Sequence, residues 1–179
     1  MTCDDVGMRR QLLLVRHAKS AWDDPSLADH DRPLAPRGRK AVRRLHDYLE
    51  QAAPSPEIVL CSSSRRTIES LDGFRSAIPP HTRVEIDETI YEAHADTLLR
   101  GLQRLDDEIR CAMMIGHNPG MQDLTVRLAG SGDPVMLAKV ATKFPTAAVA
   151  TLSFEGGWSE LIDGSARIDD LFMPRRPRP

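Results

Sequence analysis

Cysteine is scarce in these 179 residues: Cys3, Cys61 and Cys111 are odd in number and far apart. That spacing excludes a zinc-type ligand set and offers no disulfide framework. Two of the three lie inside apolar runs and read as small hydrophobes, so a reducing, cytoplasmic setting is expected. No apolar run approaches the roughly 20 residues that span a bilayer, and residues 1–10 lack the apolar core of a signal peptide. Excess charge is missing too. Lys and Arg total 24 against 26 Asp and Glu, a net charge of −2, which gives no global reason to bind nucleic acid. His30, His46, His81 and His94 show no paired metal spacing, and Asp23, Asp24, Asp29 and Asp31 lack the pattern of a calcium loop. Repeats and domain breaks are also absent. The length therefore fits one domain, 1–179, large enough to bury a core, with mobile tails expected at 1–10 and 174–179.

What is present is a recurring unit. Leu12-Leu13-Leu14-Val15, Ile58-Val59-Leu60 and Ala112-Met113-Met114-Ile115 are aliphatic runs too short for helices, so each reads as a buried strand. Each ends in a polar turn and leads to a helix. The turns are Arg16-His17-Ala18-Lys19, Cys61-Ser62-Ser63-Ser64-Arg65-Arg66 and Gly116-His117-Asn118-Pro119. Helical spacing of Ala41, Val42, Leu45, Tyr48, Leu49 and Ala52 predicts a helix over 39–53, ended by Pro54 and Pro56. Ile68, Leu71 and Phe74 stripe the next helix, with Ser62 to Ser64 as caps. A third strand is expected at 83–86, and Asp96 as N-cap of a helix carrying Leu98, Leu99, Leu102 and Leu105. A helix at 121–129 and a late strand at 147–154 follow, with Trp158, Leu161 and Ile162 as apolar packing. The alternation predicts an α/β domain with helices covering a largely parallel sheet.

In such sheets ligands bind beyond the carboxyl ends of the strands. An arginine and a histidine there are equally the plain end of a strand. Two histidines and two arginines converging in one crevice would instead suit phosphoryl transfer. A neutral imidazole can attack phosphorus while guanidinium forks neutralise the equatorial oxygens. Cations at a helix start oppose the helix dipole, and a bound anion would reconcile them. Residues 21–34, rich in Asp and Pro, form a long loop beside the first turn, and such loops are often functional.

Arg16-His17-Ala18-Lys19 resembles the RHG signature of the histidine phosphatase superfamily, the phosphoglycerate mutase-like proteins. Ala18 stands where glycine is usual, as in its short SixA-type branch. Asp31-Arg32-Pro33-Leu34 with Arg37-Gly38, the serine–arginine segment through Ser70, and Gly116-His117-Asn118-Pro119 are similar to that branch in the same order. The resemblance implies a three-layer αβα sandwich with a mostly parallel central sheet. It implies His17 as nucleophile, a phosphate pocket of Arg16, Arg66 and His117, Asn118 nearby, and no metal or other cofactor. Arg65 competes with Arg66 for its place. The family usually adds a carboxylic acid for the leaving group; Glu92 is the candidate, weighed equally against an exposed loop carboxylate. The implied substrate is phosphohistidine on a protein, such as a histidine phosphotransfer domain. The rivals are a phosphatase of small phosphoesters and a non-catalytic phosphate-binding module.

Overall fold

The aliphatic runs are strands because both of their faces are covered. Leu12, Leu14, Ile58, Leu60, Ala112 and Met114 belong to one buried cluster, and the alternate residues Leu13, Val15, Val59, Cys61, Met113 and Ile115 to the other. Side chains alternate across a strand, so a strand buried on both sides must be apolar at every position. The computed structural model describes residues 8–174. Along it run β1 (Arg10–Arg16), α1 (Pro36–Gln51), β2 (Ile58–Ser62), α2 (Arg65–Phe74), β3 (Arg83–Asp87) and α3 (Ala95–Leu102). Then come β4 (Cys111–Gly116), α4 (Gly120–Leu128), β5 (Ala129–Gly132), α5 (Pro134–Thr142), β6 (Val149–Phe154) and β7 (Ala166–Phe172).

The strands form one sheet in the order β3-β2-β4-β1-β6-β7-β5. β3, β2, β4 and β1 are mutually parallel, while β6 runs antiparallel to both β1 and β7. Helices α1 and α2 cover one face through Val42, Leu45, Leu49, Leu71 and Phe74. Helices α3, α4 and α5 cover the other through Leu98, Leu102, Leu124, Leu128 and Val140. The expected three-layer α/β architecture is the observed one. Its consequence for function is simple: β2, β4 and β1 are neighbours, so their three polar turns open at one edge of the sheet.

Several local expectations change. Helix α1 starts at Pro36 because proline is preset for the first helical position. A Cβ on Gly38 would collide with the Lys19 carbonyl, which also accepts from the Ala35 N–H at 2.9 Å. This close approach clamps the start of α1 to the chain leaving β1. Asp96 is not an N-cap: His94 holds that position without a side-chain bond, and Asp96 pairs with Arg127 at 2.6 Å. The helix stops at Leu102, although Leu105 still packs on the core. Ile162 is 60% exposed, whereas Trp158 and Leu161 are buried as expected. Arg10, expected in the polar lead-in, opens β1 and is buried, its guanidinium donating to the Asp107 carbonyl at 2.5 Å. Residues 1–7 and 175–179 of the expected tails lie outside the described residues. Cys61 and Cys111 are buried free thiols, which burial pushes up to about 12.

Candidate active site

His17 follows the last residue of β1, and its backbone N–H donates to the Gly116 carbonyl at 3.1 Å. Its ring Nδ1 lies 2.7 Å from the Ala18 carbonyl oxygen. A carbonyl only accepts, so Nδ1 carries the proton and Nε2 keeps its lone pair. Burial is the main cause that lowers the His17 pKa to about 3, reinforced by the charges of Arg66 and Arg16 against the Ala18 bond and Asp29. The ring is therefore a neutral base with a free Nε2 at neutral pH. The Ala18 N–H donates to Ser70 Oγ at 2.9 Å, and Ser70 donates on to the Arg66 carbonyl at 2.6 Å. This chain ties the end of β1 to the first turns of α2. Ala18 is fully buried and is not among the positive-φ residues, so the turn has no need of the usual glycine. Arg16 donates from Nη1 to the Phe144 carbonyl at 2.7 Å, and its Nε is buried without a partner among the described residues.

His117, after β4, sits 4.9 Å from His17 between ring centroids. Arg66 Nη2, which only donates, lies 3.3 Å from His117 Nδ1. The His117 proton is therefore on Nε2, which donates to Ser62 Oγ at 2.8 Å. Burial first, then the repulsion that a protonated His17 would exert and the charge of Arg66, lowers its pKa to about 3. Arg66 is buried at the start of α2. Its Nη1 donates to the Asp29 carbonyl at 2.6 Å and its Nη2 to Asp29 Oδ2 at 2.8 Å. Tyr91 Oη donates to the same Oδ2 at 2.8 Å. Burial opposes the Asp29 charge, but the Tyr91 and Arg66 hydrogen bonds and the Arg66 and Arg32 charges outweigh it, holding the carboxyl below its ordinary value. The crevice thus gathers two neutral imidazoles, two guanidiniums and one carboxylate.

Residues 12–110 match the family model of the histidine phosphatase superfamily, branch 1. The chain belongs to this superfamily. It is 33% identical over 165 residues to an uncharacterised protein of Mycobacterium leprae, covering 90% of this chain and all of that one. In structure it resembles the assigned phosphohistidine phosphatase SixA of Nakamurella multipartitia, with TM-score 0.81 and 25% identity over 93% of this chain and 96% of that one. The assigned SixA of Agrobacterium tumefaciens is similar at TM-score 0.78 and 25% identity, over 92% and 98% of the two chains. The likeness places this histidine phosphatase, a hydrolase, in the SixA-type branch.

In this histidine phosphatase Arg16, His17, Arg66 and His117 meet as expected from the motifs. Arg65 does not join them: its side chain is 53% exposed and pairs with Glu69 at 2.8 Å. Asn118 is close but spends its amide N–H groups on Gln122 Oε1 and the Phe144 carbonyl, both at 3.1 Å. It braces the turn against the carbonyl that Arg16 also uses. Glu92 is exposed, has φ 51° and makes no hydrogen bond or ion pair among the described residues. The expected serine caps take other partners. Ser62 holds His117, Ser63 Oγ lies 3.0 Å from His30 Nε2, and Ser64 makes no cap bond. Asp29, Tyr91 and the Phe144 carbonyl are site groups that no motif flagged. The one signal in sequence was the length of the loop that holds Asp29. At its rim Trp22 is exposed, with the Arg32 guanidinium 4.1 Å and the Lys19 ammonium 5.7 Å over its ring. No group of three or more His, Cys, Asp and Glu among the described residues is placed to hold a metal ion. No helix there is long and apolar enough to cross a membrane.

The two histidines set a pH dependence of stability in the phosphatase. Both go from an ordinary 6.5 to about 3 on folding, so between those values the unfolded chain binds more protons. Their contribution is complete above pH 6.5 and falls as pH drops toward 3, by up to about 1.4 kcal/mol per pH unit for each ring. Denaturant midpoints at pH 7.5, 5.5 and 4.5 check this. The slope is expected to flatten in His117→Gln.

Proposed function

We propose that this phosphatase works through a covalent phosphohistidine on His17, without a metal, and that its substrate is phosphohistidine on a protein. The reading rests on one observation, the free Nε2 of His17 set by its Nδ1–H bond to Ala18, beside the Arg66–His117 pair. In the first step the P–N bond of the substrate breaks as a P–Nε2 bond forms on His17. Arg16 and Arg66 take the charge on the equatorial oxygens. In the second, a water oxygen bonds to phosphorus, the P–Nε2 bond breaks, and inorganic phosphate leaves.

The choice of leaving group follows from the acids. An alkoxide needs a proton from the protein as it leaves. Here Glu92 is exposed and makes no hydrogen bond or ion pair among the described residues, and Asp29 is held ionised. Imidazole leaves readily once its far nitrogen is protonated from solvent, so a phosphoramidate suits a site without a poised acid. The likeness to assigned phosphohistidine phosphatases supports the same substrate. The test is phosphate release, with chelator present, from a phosphohistidine protein and from a simple alkyl phosphate. Turnover of the first is expected to exceed the second at least about 100-fold and to change less than about twofold in Glu92→Gln, since no interaction in the transition state is lost. Faster release from the alkyl phosphate that collapses in Glu92→Gln would transfer the assignment to small phosphomonoesters.

A further inference from the structure

The Asp29 backbone carbonyl and carboxylate present two acceptor oxygens to the two terminal nitrogens of Arg66. A phosphoryl group presents the same pair of oxygens to a guanidinium fork. The Asp29 charge is also felt at both His17 and His117, where the charge of a bound phosphoryl group would act. We propose that Asp29 is an internal stand-in for the phosphoryl group on Arg66, displaced as substrate enters and returning as inorganic phosphate leaves.

The build of the loop suits this exchange. Its base is pinned: Ser20 bridges to Leu34, the Ala21 N–H donates to the Pro33 carbonyl at 2.8 Å, and the Leu34 N–H donates to Glu69 at 2.9 Å. Its tip, the 3₁₀ turn Asp29–Asp31, buries no residue. The tip reaches across the crevice to Arg66, Ser63 and Tyr91 through polar bonds and an edge-on ring contact between His30 and Tyr91. Such contacts can be traded for others without opening the apolar core. The Asp29 side chain is 38% exposed, so solvent can receive it. Exchange of this kind keeps the product loosely held, because inorganic phosphate must compete with a tethered anion.

A plain structural clamp makes the opposite prediction, which gives the experiment its sign. If Asp29 only orients Arg66, its loss weakens phosphate binding; if it competes for Arg66, its loss tightens it. Calorimetric titration with inorganic phosphate would compare wild type, Asp29→Asn and Tyr91→Phe. Tyr91→Phe removes only the hydroxyl that steadies the Asp29 carboxylate. The expected result is binding about tenfold tighter in Asp29→Asn and tighter by a smaller factor in Tyr91→Phe, with lower inhibition constants for phosphate in turnover. Unchanged or weaker binding in both overturns the proposal. Should Asp29→Asn fail to fold, the sign in Tyr91→Phe decides. The exchange rests on the phosphate-pocket reading of Arg66 but not on the substrate. Tighter binding in a protein that leaves phosphohistidine untouched would overturn the substrate assignment alone.

Discussion

His17→Ala is expected to lower phosphate release by about 10⁴-fold or more, with the fold retained. Loss of a nucleophile that works as a unit with its neighbours removes nearly all chemical catalysis. No other group can replace it. The second imidazole, His117, has its proton on Nε2 facing Ser62 and its Nδ1 lone pair facing Arg66, so neither nitrogen is free to attack. The fold should survive because the backbone bonds at this turn, His17 N–H to Gly116 and Ala147 N–H to the Arg16 carbonyl at 3.0 Å, do not use the ring. The check has two parts. Single-turnover wild type should accumulate an acid-labile, base-stable phosphoenzyme that His17→Ala lacks. The variant should still bind inorganic phosphate, since the guanidiniums remain. A variant that turns over within tenfold of wild type would remove His17 from the chemistry.

Arg66→Lys is expected to reduce kcat/KM by about 10²–10³-fold, the loss seen when one aimed donor to a transition state is removed. The charge is conserved, so the effect isolates geometry. Both terminal nitrogens of Arg66 donate to Asp29, and Nη2 also faces His117 Nδ1, so the guanidinium serves two directions at once. An ammonium on a flexible stem acts as a point charge and cannot hold both. The side chain is buried and the Asp29 carboxylate would lose its fork, so a stability loss of about 1–3 kcal/mol should accompany the change. Separate measurement of kcat and KM tells the roles apart. A fall confined to kcat marks a contact made in the transition state; a rise confined to KM marks uniform phosphate binding. Arg65→Lys, on the exposed neighbour, should leave both constants within about twofold.

The strands that carry the site were readable because they are central. Residues 12–15 of β1, 58–61 of β2 and 111–115 of β4 are apolar without a break, and that local run is what burial on both faces demands. β3 lies at an edge, with four of its five residues exposed, yet its β-branched alternation sufficed. β5, by contrast, is Ala-Gly-Ser-Gly and has no strand pattern; it exists because it pairs with β7. β7 itself was hidden by Asp169 and Asp170, which fall where its pairing with β6 shifts register. The Asp133-Pro134 start of α5 was legible in principle, since Asp133 Oδ1 accepts from the Val135 N–H at 2.7 Å.

For the site the division is sharper. The identities of Arg16, His17, Arg66 and His117, and their positions at strand ends, follow from short motifs, because a motif and the strand before it are contiguous in the chain. Which imidazole nitrogen holds its proton does not follow. That depends on Ala18 next door for His17, but on Ser62 and Arg66, 55 and 51 residues away, for His117. Nor does the role of Asp29 follow: one carboxylate among four in a loop, it is singled out only when the tip of that loop crosses to α2 and Tyr91. Burial patterns are local and repeat along the sequence. A hydrogen bond has a direction and a partner, and here the partners are brought together only by the packing of distant turns at one end of the sheet.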